Sequence, residues 1–112
     1  MPLINVKVST PKVPNEDLLL KALSSELAIL TGKPEKYVMC LLQTNVPMRF
    51  GGTDEASCYV EIKSIGALRP PEMTKSICEL IGTKVGIPAD RVYVSFEDID
   101  ASNWGFNGHT FG

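Results

Sequence analysis

A chain of 112 residues with 44% apolar and 21% charged content has the size and balance of one globular domain with one core, so residues 1–112 are read as a single unit. A net charge of −2 with no Lys/Arg run excludes a nucleic-acid groove and a polybasic membrane patch. No segment nears the ~20 apolar residues of a membrane span, and no basic n-region and apolar h-region follow Met1, so no signal peptide is expected.

The chain opens with Met1-Pro2 and an apolar strand pattern, Leu3 to Val8. If Met1 is removed, Pro2 carries a secondary α-amine held in a ring at the start of a strand. An α-amine titrates near 7.7–8.0, and burial or a nearby cation lowers that value, leaving a free base at neutral pH. The plain alternative is a processed terminus with no further role.

Ser9 to Pro14 reads as a loop, and Asn15 as an N-cap with Glu16 and Asp17 in the first helical turn. Leu20, Leu23, Leu27 and Leu30 recur at helical spacing to about Thr31, where Gly32 stops the helix. A strand follows from Tyr37 to about Thr44. Its run Val38-Met39-Cys40-Leu41-Leu42 is apolar on both faces, the pattern of a central strand. Asn45 to Glu55 is a loop with a short extended piece and a Gly51-Gly52 turn. Ser57 to Ile65 alternates as a strand. Pro70 and Pro71 suit a helix start, and Met73, Ile77, Leu80 and Ile81 mark that helix's apolar face up to Gly86. Arg91 to Asp98 is a last strand, with Val92, Val94 and Phe96 on one face and Tyr93, Ser95 and Glu97 on the other. The tail, from Ala101, mixes Trp104, Phe106 and Phe111 with turn residues.

A shift of about 54 residues superimposes the two halves: Val6 on Val60, Leu23 on Ile77, Leu27 on Ile81, Gly32 on Gly86 and Pro34 on Pro88. Each half is a strand–helix–strand unit, whose crossover makes its two strands parallel. Two such units give an α+β fold: two βαβ repeats forming a four-stranded mixed sheet with both helices on one face. The other face is left bare, and self-association with closed symmetry is the simplest cover.

Several residues are candidates for chemistry. Lys33 is either a helix C-cap lysine or a cation that binds a substrate carboxylate and lowers the pKa of the Pro2 amine; the residues leave its distance from Pro2 open. Ser64-Ile65-Gly66 is either a plain strand exit or a corner whose free backbone N–H binds an anionic oxygen. Tyr93 and Ser95 point to the uncovered face, and so towards a neighbouring copy. His109, the only histidine, reads as a surface residue, and no metal site is expected. Cys40, Cys58 and Cys78 have no metal-like or redox spacing and read as reduced core residues of a cytosolic protein.

Met1-Pro2-Leu3, Thr31-Gly32-Lys33-Pro34, Phe50-Gly51-Gly52, Ser64-Ile65-Gly66, Asp90-Arg91-Val92-Tyr93 and the Asn103-to-Asn107 tail together resemble the macrophage migration inhibitory factor family of the tautomerase superfamily. The resemblance spans almost the whole chain. It implies a homotrimer with a tautomerase site between neighbours and no cofactor. In that site Pro2 is the catalytic base. Lys33 and the Ile65 N–H hold the substrate's acid group, with Ser64 beside them. Tyr93 and Ser95 come from the adjacent subunit, and Tyr37, Trp104 and Phe106 form an apolar rim.

Three departures stand out. Ser95 occupies a position where the family usually has Asn. Ser57 and Val60 replace the Cys-x-x-Cys of the vertebrate cytokine, so thiol–disulfide exchange is not carried over. The loop before the second helix is shorter. The expected activity is a keto–enol shift in phenylpyruvate-like 2-keto acids, with a cytoplasmic location or release without a signal peptide. The alternative from another class is a signalling or interaction protein with a vestigial pocket. A third reading, dehalogenation or decarboxylation by the same amine, needs further arginines in the site; only Arg49, Arg69 and Arg91 are present, none in a pocket segment.

Overall fold

A computed structural model describes residues 1–112. In chain order the main elements are β1 (Pro2–Val8), α1 (Glu16–Thr31), β2 (Met39–Gln43), β3 (Cys58–Ser64), α2 (Pro70–Lys84) and β4 (Val92–Asp98). A hairpin, β5 (Gly105–Phe106) with β6 (His109–Thr110), closes the tail. The sheet order is β2-β1-β3-β4, with β1/β2 and β3/β4 parallel and β1/β3 antiparallel. The internal repeat is therefore the fold: two strand–helix–strand units joined across their first strands.

Each helix forms where its caps and stripe direct it. The Asn15 side chain accepts from the Leu18 N–H at 3.0 Å, and Gly32, at φ +68°, ends α1 by donating to the Ala28 and Ile29 carbonyls. Pro70 and Pro71 open α2, where missing N–H groups cost little. Leu19, Leu23 and Leu27 of α1 and Met73, Ile77 and Ile81 of α2 are fully buried against the sheet. All of these except Met73 cluster with Ile4, Val6 and Val8 of β1 and Val60 and Ile62 of β3, every second residue of each strand. Arg69 ties the helices together by donating to the Leu30 carbonyl at the end of α1. No helix is long and apolar enough to cross a membrane.

Leu3, Asn5 and Lys7, Tyr59, Glu61 and Lys63, and Tyr93, Ser95 and Glu97 occupy the opposite face, which carries no helix. Only 19 of 112 residues are buried, which leaves the sheet with one packed side.

Two expectations are corrected. The second strand starts at Met39, because Glu35–Tyr37 form a 3-10 turn that carries Tyr37 out of the sheet. It is also an edge strand, with Met39 56% and Leu41 41% exposed. Its doubly apolar pattern reflects helices on one face and an uncovered apolar corner, Leu3, Met39 and Leu41, on the other. The tail is ordered by a 3-10 turn, Ala101–Asn103, in which Asp100 accepts from the Ser102 N–H, and then by the β5/β6 hairpin. Turn residues alone did not signal a strand pair of two residues each.

Candidate active site

Pro2 is buried at the first position of β1, opposite Ser64 of β3. The alternation of the antiparallel ladder fixes which way each backbone group points. Ser9 N–H donates to the Ser57 carbonyl at 3.0 Å, so odd-numbered partners along β1/β3 are hydrogen-bonded pairs and Pro2–Ser64 is a non-hydrogen-bonded one. The nitrogen of Pro2 thus turns away from β3, towards β2. The carbonyl of Ser64 turns to β4, where it accepts from the Ile99 N–H at 2.8 Å.

Ile65 then points its N–H back towards the start of β1, and it makes none of the subunit's backbone hydrogen bonds. The corner is held open around it: Gly66, at φ +67°, donates to the Asp98 carboxylate at 2.9 Å, and Ala67 follows at φ +59°. An alanine held left-handed is uncommon and costs about 1 kcal/mol.

Lys33 arrives from the other side. β1 and β2 run parallel, with Leu3 opposite Met39, so the turn that feeds β2 lies beside the start of β1. That is the side to which the Pro2 nitrogen points. Lys33 is half-buried, and its N–H donates to the Thr31 hydroxyl at 3.3 Å. The terminal α-amine, borne by Met1, has its pKa lowered from 8.0, first by burial and second by the Lys33 cation. Parallel pairing explains the approach that the residues had left open.

The rim residues divide. The Tyr37 ring meets Phe106 edge-on, with centroids 5.7 Å apart, and Phe106 stacks on Phe111 at 5.7 Å. Trp104 instead lines a recess of about 360 Å³ with Leu3, Lys63, Ile99 and Asn103. Ser64 is completely buried, and its Oγ has no partner. Its hydroxyl therefore lies on the helix-covered side of the sheet, the same side as the Pro2 ring opposite it.

Tyr93 and Ser95 lie elsewhere. Tyr93 pairs with Tyr59, which pairs with Lys7 near the far end of β1. Tyr93 is 66% exposed and packs on Phe50 at 4.6 Å, while Ser95 Oγ and the Tyr59 hydroxyl are 2.8 Å apart. With Pro47, Met48 and Tyr59, these two rings line a cleft of about 610 Å³. One subunit thus holds these residues in two separate groups: Pro2, Lys33, Ile65, Tyr37 and Phe106 near the start of β1, and Tyr93 and Ser95 on the open face.

The role of the arginines was missed. Arg49 donates to the Gly52 carbonyl, Arg69 to Leu30, and Arg91 to Phe50, Glu55 and Ala56. All three are engaged with backbone carbonyls. Burial pushes the thiol pKa of Cys58 to about 12 and that of Cys40 to about 11, and raises that of Cys78. All three cysteines are free and protonated at neutral pH.

A family model described as macrophage migration inhibitory factor matches residues 1–112. The chain is 33% identical over 115 residues to a macrophage migration inhibitory factor homolog of Brugia malayi, covering 100% of both chains. It is 32% identical over 114 residues to macrophage migration inhibitory factor of Xenopus laevis, covering 99% of both. Its structure is similar to that of a macrophage migration inhibitory factor homologue from Prochlorococcus marinus, with a TM-score of 0.94 and 54% identity over 98% of this chain and 99% of that one.

Proposed function

Because the chain belongs to the macrophage migration inhibitory factor family, we propose that it is a cofactor-independent keto–enol tautomerase of phenylpyruvate-like 2-keto acids. In this reading it works as a homotrimer, and removal of Met1 frees the nitrogen of Pro2 as the general base. The observation that carries the reading is the chain start itself: the Met1 amine next to Pro2 is partly buried and lowered in pKa by that burial and by Lys33, beside the unengaged N–H of Ile65.

The chemistry follows from these positions. The substrate carboxylate accepts from the Lys33 ammonium and the Ile65 N–H, which sets the carbon next to the keto group against Pro2. The neutral ring nitrogen takes a proton from that carbon, and the C–H electron pair moves towards the carbonyl oxygen to form the enolate. The protonated ring nitrogen then gives that proton to the enolate oxygen, which yields the enol and frees the base, and the reverse path returns the ketone. Lys33 has two effects: it orients the acid, and it disfavours the protonated amine, keeping the base free near neutral pH. The neighbouring subunit supplies Tyr93 and Ser95 along the aryl group, and Tyr37 and Phe106 exclude water from the rim.

The engagement of all three arginines with carbonyls supports proton transfer over dehalogenation or decarboxylation. The test is ketonisation of phenylpyruvate enol by protein whose intact mass shows Met1 absent. Turnover that disappears in Pro2→Gly supports the reading. Equal turnover by Pro2→Gly refutes the assignment of the base, and no turnover with partner binding intact favours a signalling protein with a vestigial pocket.

A further inference from the structure

Arg91, Phe50 and Tyr93 form a continuous stack. The Arg91 guanidinium lies 4.9 Å from the Phe50 ring centroid, and the Phe50 ring lies 4.6 Å from that of Tyr93, tilted by 41°. Arg91 is itself fixed, donating to the carbonyls of Phe50 at 2.9 Å, Glu55 at 2.8 Å and Ala56 at 3.3 Å. The loop it grips is closed by reciprocal backbone bonds between Phe50 and Thr53, across Gly51 and Gly52, both at positive φ. A long loop is thereby anchored at one aromatic residue, directly under a tyrosine that is 66% exposed.

An exposed tyrosine on an edge strand would ordinarily sample several rotamers, and ordering it on binding lowers affinity. We propose that Phe50, gripped by Arg91, is a positioning residue that holds the Tyr93 ring ready as the aromatic wall of a neighbouring subunit's pocket. The stack thereby favours aryl over alkyl 2-keto acids. This inference rests on the tautomerase reading and on Tyr93 serving a neighbour's site. The stack does not touch the reacting atoms, so its effect appears in substrate binding and not in the proton-transfer step. A planar guanidinium suits the role because it holds three carbonyls and covers a ring face at once.

The experiment compares wild type, Phe50→Leu, Phe50→Tyr and Arg91→Lys, all without Met1 and with assembly checked by sedimentation. Phe50→Leu is expected to raise KM for phenylpyruvate roughly three- to tenfold, the scale of one lost aromatic pair, with little change in kcat. The KM for a 2-keto acid with an alkyl side chain should stay the same. Phe50→Tyr, which keeps a ring, should restore the wild-type ratio, and Arg91→Lys should fall between. If Phe50→Leu does not assemble, Arg91→Lys carries the test alone: an unchanged aryl-to-alkyl KM ratio overturns the proposal. Equal losses on both substrates also overturn it.

A second readout needs no turnover. Phenylacetate, which cannot enolise in this way, is titrated against each protein while the Tyr93 ring resonances are followed. Weaker binding and averaged ring signals in Phe50→Leu support the stack even if wild type converts neither substrate, a result that would refute the tautomerase reading alone. Unchanged binding and ring signals refute the stack.

Discussion

Pro2 and Tyr93 cannot share a pocket within one subunit. Tyr93 stands in the row of residues that runs through Tyr59 to Lys7, five positions along β1 from Pro2, which is roughly 17 Å at 3.3 Å per residue. Tyr93 also projects from the open face, whereas the side chain of Pro2 lies with the buried residues on the helix side.

A site that uses both must draw them from different copies, and mixing experiments can detect this. Pro2→Gly protein and Tyr93→Ala protein should each be impaired with phenylpyruvate. Unfolded together and co-refolded, they should regain activity, because random assembly reunites intact Pro2 and Tyr93 at about a quarter of the shared sites. Activity no higher than the mean of the two separate proteins would place both residues' effects within single subunits.

The terminal amine supplies a pH signature in the chain that carries Met1. Its pKa is lowered below 8.0 in the folded state, so between the folded and unfolded values the unfolded chain binds more protons. This contribution to stability is complete above 8.0 and fades as pH falls through the folded value. Lys33→Met removes the second cause and leaves burial, so the pKa should rise yet remain below 8.0. The pH dependence of N-terminal acylation, followed by mass spectrometry, measures both values.

The cysteines should be inert. Cys58 is 2% exposed, with a pKa pushed to about 12, and Cys40 is pushed to about 11. Alkylation by iodoacetamide at pH 7.5 should leave both unmodified until denaturant is added. Rapid labelling of Cys58 in the native protein would show that the β3–α2 packing opens readily.

Ser64 and Ile62 should respond in opposite ways to truncation. Ile62 is fully buried between Ile4 and Phe96, so Ile62→Ala should cost about 2–5 kcal/mol. Ser64 is equally buried, but its hydroxyl has no partner. Removing an unpaired buried hydroxyl relieves a desolvation penalty of about 1–3 kcal/mol, so Ser64→Ala should leave urea stability unchanged or raise it. A large loss in Ser64→Ala would mean that the hydroxyl is hydrogen-bonded in solution.

Local order in this protein was legible in the residues. Leucine spacing, Asn15 and Gly32 delimit the first helix, and the alternation in 58–64 and 92–98 separates buried from outward side chains. The 54-residue repeat contains the four-stranded sheet and its two helices, while the paired 3-10 turns at Glu35–Tyr37 and Ala89–Arg91 sit where Tyr37 and Arg91 read as strand starts. These features are written in neighbours a few residues apart, and side-chain periodicity is their direct physical cause.

Lateral relationships were not legible. The edge position of β2, the approach of Lys33 to the chain start, the outward Ile65 N–H and the Arg91–Phe50–Tyr93 stack all depend on which strand lies beside which, and in what register. Strand pairing joins backbone groups that are identical along the chain, so residue type marks the face of a strand but not its partner. Only the folded sheet decides that.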